Sequence, residues 1–194
     1  MFLDIPKFTG ILKSAYKNSG LTIGYLNEGL VVSSGYWIIW LRAENIPNKI
    51  KALVVELCGF IPESQMMFYI SKDNPNPQYK IETADRIQDM IEDFRDADKK
   101  LHITPVVLLE GFDVRLLQTP TRVLVGMNEA YFGIIDPSNV DYGQESMPTG
   151  PCFREAPETG IYWHNENCIV IVFPAKVRNT EVAEALQKVD FNVN

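Results

Sequence analysis

Two segments of this chain repeat the same order of strand-forming residues, polar turn and aromatic pair. The first is a strand-turn-strand pattern at 21–32 followed by Tyr36 and a tryptophan, and the second is a similar pattern at 114–125 followed by Tyr131 and a phenylalanine. The two tyrosines are separated by about half of the 194 residues. Self-similarity at this distance is typical of a duplicated supersecondary unit. The repeat therefore predicts two related halves, each built around a hairpin.

The remainder of the chain mixes helical and strand patterns. Apolar residues recur at the spacing of an amphipathic helix in four segments: 4–18, 47–58, 83–97 and 180–189. Runs of β-branched and aromatic residues predict further strands at 66–70, 104–109, 152–154, 160–163 and 168–173. We predict an α+β fold in which a helix-plus-antiparallel-strands unit is internally duplicated. It would form a single domain over 1–194, with pseudo-repeats at about 1–80 and 81–177 and a C-terminal helical extension at 178–194.

The composition is that of an ordinary globular protein. Hydrophobic residues make up 46% of the chain, enough to bury one sizeable core or two small coupled ones. The opening residues lack the cationic start of a signal peptide, and no later run approaches the roughly 18 apolar residues that span a bilayer. We therefore expect a cytoplasmic protein with no membrane partner.

Three cysteines, Cys58, Cys152 and Cys168, lie among apolar neighbours and show no metal-ligand spacing. We interpret them as reduced, buried thiols, and we predict neither a metal nor another cofactor. A cysteine nucleophile would need one of them beside His102 or His164, which the sequence alone does not place.

The net charge of −7 is unevenly distributed. Residues 1–60 carry a small excess of Lys and Arg, whereas acidic residues exceed basic ones over 61–194. The densest acidic group lies on the helix predicted at 83–97: Asp85, Asp89, Glu92, Asp93 and Asp96. These carboxylates lack the spacing and the glycine of a calcium loop, so we interpret them as a solvated helix face. The overall charge disfavours non-specific nucleic-acid binding but leaves room for a local basic face.

The chain contains no strong catalytic motif: no phosphate-binding glycine loop, no nucleophile elbow and no His-Glu-x-x-His. The best remaining set is His164, Glu166 and Cys168, whose spacing of two would place all three on one face of a continuous strand. The intervening asparagines favour a hairpin turn, which would break that alignment. The three residues remain the site of an alternative hypothesis, a small cytoplasmic enzyme.

Adjacent aromatic residues recur at 36–37, 131–132 and 162–163. Neighbouring residues of a strand point to opposite faces, so one member of a pair can fill the core while the other reaches the surface. Core packing explains most of these rings. We predict an exposed aromatic binding surface, for bases or a sugar-like ligand, from Trp37, Tyr131 and Trp163.

Four segments carry a resemblance to known proteins: Gly35-Tyr36-Trp37-Ile38, Met127-Asn128-Glu129-Ala130-Tyr131, Gly150-Pro151-Cys152-Phe153 and Ile171-Val172-Phe173-Pro174-Ala175-Lys176-Val177. The chain resembles uncharacterised proteins carried by phages and mobile elements of Gram-positive bacteria. More remotely, residues 105–177 resemble the last domain of bacterial DNA sliding clamps. In that domain a hydrophobic-Pro-x-basic-hydrophobic strand comes last, and Phe173-Pro174-Ala175-Lys176-Val177 matches it.

This resemblance implies a clamp-like domain with helices on one face of curved sheets. It implies a non-enzymatic interaction module, because clamps surround duplex DNA with lysine-bearing helices and hold short partner peptides in a hydrophobic pocket. The lysines that match lie in the first two predicted helices: Lys7, Lys13, Lys17, Lys49 and Lys51. The implied partners are duplex DNA or a replication-related protein. The acidic helix and a length that suits one clamp domain rather than three depart from the family pattern.

Overall fold

Two antiparallel sheets organise the computed structural model, which describes residues 1–79 and 81–191. In this part of the chain the α-helices are α1 (Ile5–Asn18), α2 (Asn48–Cys58), α3 (Ile81–Glu92), α4 (Glu129–Phe132) and α5 (Thr180–Gln187). The strands are β1 (Leu21–Leu26), β2 (Gly29–Ser33), β3 (Trp37–Arg42), β4 (Met67–Ile70), β5 (Gln78–Tyr79), β6 (Lys99–Lys100), β7 (His102–Leu109), β8 (Asp113–Gln118), β9 (Leu124–Asn128), β10 (Thr149–Phe153), β11 (Ile161–His164) and β12 (Cys168–Val172). The predicted α+β class is confirmed.

The larger sheet has the strand order β5-β4-β1-β2-β3-β12-β11-β10-β6 and is covered on both faces. One face packs against α1 and α2, and the opposite face packs against α3. We call these the α1/α2 side and the α3 side of the sheet. The expectation of helices on one face is therefore wrong. Strands such as β2 and β12 are buried at every position, so each of their faces requires a covering layer.

The α1/α2 side follows the helical patterns of the sequence. Helix α1 begins after Asp4, whose side chain accepts the N–H of Lys7, and its buried residues are Phe8, Leu12 and Ala15. Helix α2 buries Ile50, Leu53, Val54 and Cys58, and it ends at Gly59, whose φ of 84° is the left-handed conformation that glycine favours. The two helices pack against each other above the same core.

The α3 side is covered by a helix that begins at Ile81, two residues before the predicted start at Thr83, whose side chain lies outside the described residues. Ile87 and Ile91 are buried against Val31, Ile38 and other residues of the larger sheet. The exposed side of α3 carries the acidic residues. The predicted apolar stripe and acidic face are thus both present.

The smaller sheet, in the order β7-β8-β9, packs on the α1/α2 side through Leu117, Val125 and Met127. Beyond β12, the segment 173–177 passes beside β9, where the Ala175 N–H donates to the Gly126 carbonyl at 2.8 Å. The resemblance predicts a regular strand at 173–177, but only this single bridge to β9 forms. Pro174 lacks the N–H that a continuous ladder requires.

The two repeated segments both form antiparallel hairpins, but the loop 27–28 joins β1 to β2 whereas the longer loop 119–123 joins β8 to β9, and their surroundings differ. The hairpin β1–β2 continues into β3 within the larger sheet, whereas β8–β9 continues into α4 next to the smaller sheet. The difference begins at Asn128, whose side chain accepts the N–H of Ala130 and starts α4. The predicted duplication is not shown, because the elements that follow the two hairpins differ.

Candidate functional site

The alternative enzyme site is divided by the turn that the asparagines predict. His164 ends β11, Glu166 lies in the turn, and Cys168 begins β12. The Asn165 side-chain oxygen accepts the backbone N–H groups of Asn167 and Cys168, both at 3.0 Å. This arrangement closes the turn and breaks the alignment that a continuous strand would have provided.

The three side chains consequently point into different surroundings. The ring of His164 packs on Phe94 with 4.9 Å between centroids, on the α3 side, and burial lowers the pKa of His164. Cys168 is buried on the α1/α2 side, where burial raises the pKa of its thiol. Glu166 is exposed, and hydrogen bonds from the Ser146 hydroxyl and N–H lower its carboxyl pKa. These residues do not converge on a common site.

The other cysteines offer no better nucleophile. Cys58 and Cys152 are buried, and burial raises the pKa of each thiol to about 11. A nucleophilic cysteine needs its thiolate form, which a raised pKa disfavours. Among residues 1–79 and 81–191, no group of three or more His, Cys, Asp and Glu side chains is arranged to hold a metal ion.

The predicted aromatic surface is wrong at two of its three residues. Trp37 is 1% exposed and Trp163 is 3% exposed, so both rings are core residues rather than exposed stacking platforms, although Trp37 also forms part of the wall of a cavity along α1. Strand alternation places Trp37 inward and leaves its neighbour Tyr36 57% exposed. At 162–163 the sheet is covered on both faces, so Tyr162 is also buried. Tyr131 is half-buried.

Tyr36 and Tyr131 instead meet at a surface depression that we call the tyrosine groove. Two adjoining cavities, of about 400 Å³ and 580 Å³, share Tyr36, Asn128 and Tyr131 in their walls. Burial is the main cause of the raised pKa of Tyr131, and the nearby Tyr36 adds to it. The Tyr131 phenol therefore stays neutral over the physiological range and retains its O–H donor.

The two cavities differ in their remaining walls. The apolar part of the first wall comes from Phe112, in the turn between β7 and β8, and from Phe173, Pro174 and Ala175. Glu110, Lys176 and Arg178 lie around them. The second lies along α1, where Ser14 and Asn18 contribute polar atoms. The tyrosine groove thus joins an apolar cavity with charged neighbours to a more polar one. The sequence predicted Tyr131 but not Tyr36, because alternation indicates that one of Tyr36 and Trp37 is exposed without indicating which.

The five predicted lysines are brought to one helix layer, which we call the lysine face. Lys7, Lys13, Lys17 and Lys49 are exposed, and Lys51 is half-buried. Within Ile5–Asn18 and Asn48–Cys58 the sole acidic residue is Glu56. The N-cap residue Asp4 adds a second carboxylate, 2.9 Å from the Lys7 ammonium group. The layer therefore carries a local excess of positive charge.

The exposed acidic residues of α3 lie across the sheet from the lysine face. Asp85, Asp89 and Glu92 are exposed on α3, and Asp96 is exposed in the 3-10 turn that follows it. Asp93 is half-buried and accepts a hydrogen bond from Arg154 at 2.6 Å. The opposite charges of the two helix layers are thus separated by the sheet.

Comparison of the chain with protein-family models, curated proteins and solved structures finds no match in any of the three. In the described part of the chain, none of the helices combines the length and apolar character needed to cross a bilayer. Any assignment of function therefore depends on the geometry and charge of the chain itself.

Proposed function

We propose that this protein is a non-enzymatic interaction module that binds nucleic acid through the lysine face. The observation that carries the proposal is the collection of five lysines on two packed helices of a chain with net charge −7. Lysines clustered on one layer can contact successive phosphates, and each contact releases counterions from the nucleic acid. The acidic helix would not oppose this contact directly, because it lies on the other side of the sheet.

The surface between the lysines supports a close approach of a phosphate backbone. Small exposed residues, Gly10, Ser14 and Ala52, separate the longer side chains on the two helices. Lys7 is already paired with Asp4, so Lys13, Lys17, Lys49 and Lys51 would contribute most of the attraction. The resemblance to sliding clamps gives the same assignment, since lysine-bearing helices face duplex DNA in that family. We also propose that the protein acts in phage or mobile-element biology.

The test is a binding titration of the full chain with a short fluorescent duplex at low and moderate salt. The variant Lys13→Gln/Lys17→Gln should bind more weakly, and the slope of the logarithm of its affinity against the logarithm of salt concentration should decrease in magnitude by about one for each phosphate that a lysine no longer neutralises. The matched control is Lys99→Gln/Lys100→Gln, which removes exposed lysines of the edge strand β6. Failure of the unaltered protein to bind at low salt, or equal losses of affinity in both variants, would refute the proposal.

A second candidate function is the binding of a partner peptide, such as a segment of a replication-related protein, in the tyrosine groove. The convergence of Tyr36 and Tyr131 on two adjoining cavities favours it, because concave apolar sites with a few polar groups are typical ligand sites. Peptides selected by display on the full chain should lose binding to Tyr36→Ala. The variant Tyr142→Ala changes a tyrosine that is 72% exposed elsewhere and should retain binding. Equal binding to both variants would contradict this candidate.

A further inference from the structure

Three aromatic rings form a partly exposed row at the β4–β5 edge of the larger sheet. Phe60 packs edge-on against Phe68 with 5.1 Å between ring centroids, and Phe68 packs against Tyr79 at 5.6 Å. Phe60 is 40% exposed and Tyr79 is 52% exposed, whereas Phe68 between them is half-buried. We call these three residues the aromatic row. Its two outer rings leave surface free for contact.

The aromatic row lies on the same side of the sheet as the lysine face. Neighbouring residues of β4 point to opposite sides of the sheet. Met67 is buried on the α3 side and Ile70 on the α1/α2 side. Phe68, two residues before Ile70, therefore points to the α1/α2 side. Tyr79 is the strand partner of Phe68 and therefore points the same way. Phe60 follows directly after the Gly59 cap of α2. The row thus continues the layer that carries the five lysines.

Two lysines lie at the end of α1 next to this edge. The backbone N–H of Lys72 donates to the Tyr16 carbonyl at 2.9 Å, which places Lys72 beside Lys17. The Tyr69 hydroxyl, from β4, donates to the Ser19 carbonyl at 3.3 Å and fixes the end of α1 to the same strand. The side chains of Lys17 and Lys72 are both exposed. Exposed carboxylates also occur in these segments: Glu56, Glu63 and Asp73.

Exposed rings beside lysines fit a nucleic acid whose bases are unpaired. In a duplex the bases are stacked on one another, so an exposed ring cannot reach their faces, whereas single strands offer every base for stacking. Proteins that bind single strands combine a positive surface for the backbone with aromatic side chains for the bases. The aromatic row and the lysine face provide these two elements on one side of the sheet.

We propose that the preferred ligand is single-stranded nucleic acid, with unpaired bases stacking on Phe60 and Tyr79 while phosphates contact the lysine face. This inference rests on the proposed function, because the lysines supply the charge that it uses. It goes further by assigning the ligand class to residues outside the five lysines. The charge of the adjoining helices favours a polyanion over a neutral apolar partner.

The experiment compares a labelled oligothymidine with a duplex of the same length, each titrated with the full chain. The variant Phe60→Leu/Tyr79→Leu keeps apolar side chains and removes the aromatic faces. We expect it to lose about tenfold in single-strand affinity for each ring that stacks a base, and to bind the duplex unchanged. The matched control is Tyr142→Leu, which should leave both affinities unchanged. Circular dichroism melting of each variant confirms that it is folded.

The possible results distinguish this inference from the proposed function. Equal binding of both probes, unaffected by Phe60→Leu/Tyr79→Leu but weakened by the lysine variant, overturns the single-strand assignment and leaves the proposed function intact. No binding of either probe overturns both. Dimers in light scattering that Phe60→Ser abolishes, together with single-strand binding that the leucine variant does not weaken, would mark the row as a protein contact and also overturn the inference.

Discussion

The two sides of the larger sheet are similar in construction and opposite in charge. On both sides an amphipathic helical layer buries aliphatic residues against the strands. On the α1/α2 side the helices carry four exposed lysines and the half-buried Lys51, whereas α3 exposes carboxylates on the opposite side. Burial of the apolar stripe does not restrict the outward residues, so each layer is free to acquire its own surface chemistry. The comparison shows that the surface charge of each side is set by its helical layer rather than by the strands.

The largest expected effects test whether packing on both sides of the sheet contributes to the free energy of unfolding. Trp37 faces the α1/α2 side and Ile38 faces the α3 side, both nearly fully buried. Trp37→Ala should lower the free energy of unfolding by about 3–5 kcal/mol and Ile38→Ala by about 2–5 kcal/mol, because each removes buried apolar surface and leaves a cavity. Urea denaturation measures both changes. Tyr36→Ala, at an exposed neighbour, should remain within about 0.5 kcal/mol. A negligible effect of Ile38→Ala would show that the α3 side is not packed against the strands as tightly as the α1/α2 side.

A second prediction asks whether the position of charge matters more than its total. Asp85→Asn/Asp89→Asn on α3 and Ser14→Lys/Ala52→Lys on the lysine face both raise the net charge by two. The lysine-face variant should bind nucleic acid more tightly and with a steeper salt dependence, because the added ammonium groups can contact phosphates. The α3 variant should gain much less affinity, because salt screens the interaction between the nucleic acid and charges on the opposite side of the sheet. Anisotropy titrations at two salt concentrations measure the difference. Equal gains would show that only net charge matters.

A pH-dependent difference is expected from the α3 side. Burial lowers the pKa of His164 below its ordinary 6.5. The folded state then binds a proton less readily than the unfolded chain, so the neutral ring's contribution is complete above about pH 6.5 and is lost as pH falls through the lower folded pKa. His164→Gln should therefore reduce the loss of unfolding free energy on acidification within that window. Urea unfolding at several pH values measures it, with His102→Gln as the control. An unchanged pH dependence would contradict the burial of His164.

The smallest effect concerns the ion pair between Arg154 and Asp93 on the α3 side. Both side chains are partly exposed, so Arg154→Ala should lower the free energy of unfolding only slightly, and by much less than either core substitution. Thermal or urea unfolding at low and high salt measures the change, and Arg86→Ala is the comparison on the same helix layer. A much larger loss would mean that polar contacts, rather than Ile87 and Ile91, attach α3 to the sheet.

Local patterns in the sequence predicted the elements better than their surroundings. The stripes of α1 and α2, both hairpins and the turn at 164–167 depend on neighbouring residues, and the structure contains them. The covering of both faces was missed, although the uninterrupted apolar run of β12 indicates it. Alternation predicted that one member of Tyr36 and Trp37 is exposed but could not decide which, because that depends on where the other layers pack.

The parts of the site that were missed depend on distant contacts. The tyrosine groove forms only when α4 and the segment 173–177 are placed next to Tyr36, and no local pattern encodes that arrangement. The aromatic row similarly needs the end of α2, β4 and β5 to meet. By contrast, the lysines belong to two adjacent helices with clear apolar stripes, so their common layer followed from the helical spacing and the packing of α1 on α2.

The segment 173–177 acts as a tether between the two sheets. At one end the Phe173 N–H donates to the Tyr36 carbonyl at 3.0 Å, and two residues later Ala175 bonds to Gly126 of β9. Gly126 has no room for a side chain, because an added Cβ would lie 2.6 Å from the Ala175 carbonyl oxygen. A molecule bound between Tyr36 and Pro174 would lie against this tether. If it binds the aligned sheets better, it stabilises that alignment, and by thermodynamic reciprocity a stabilised alignment raises its affinity by the same factor.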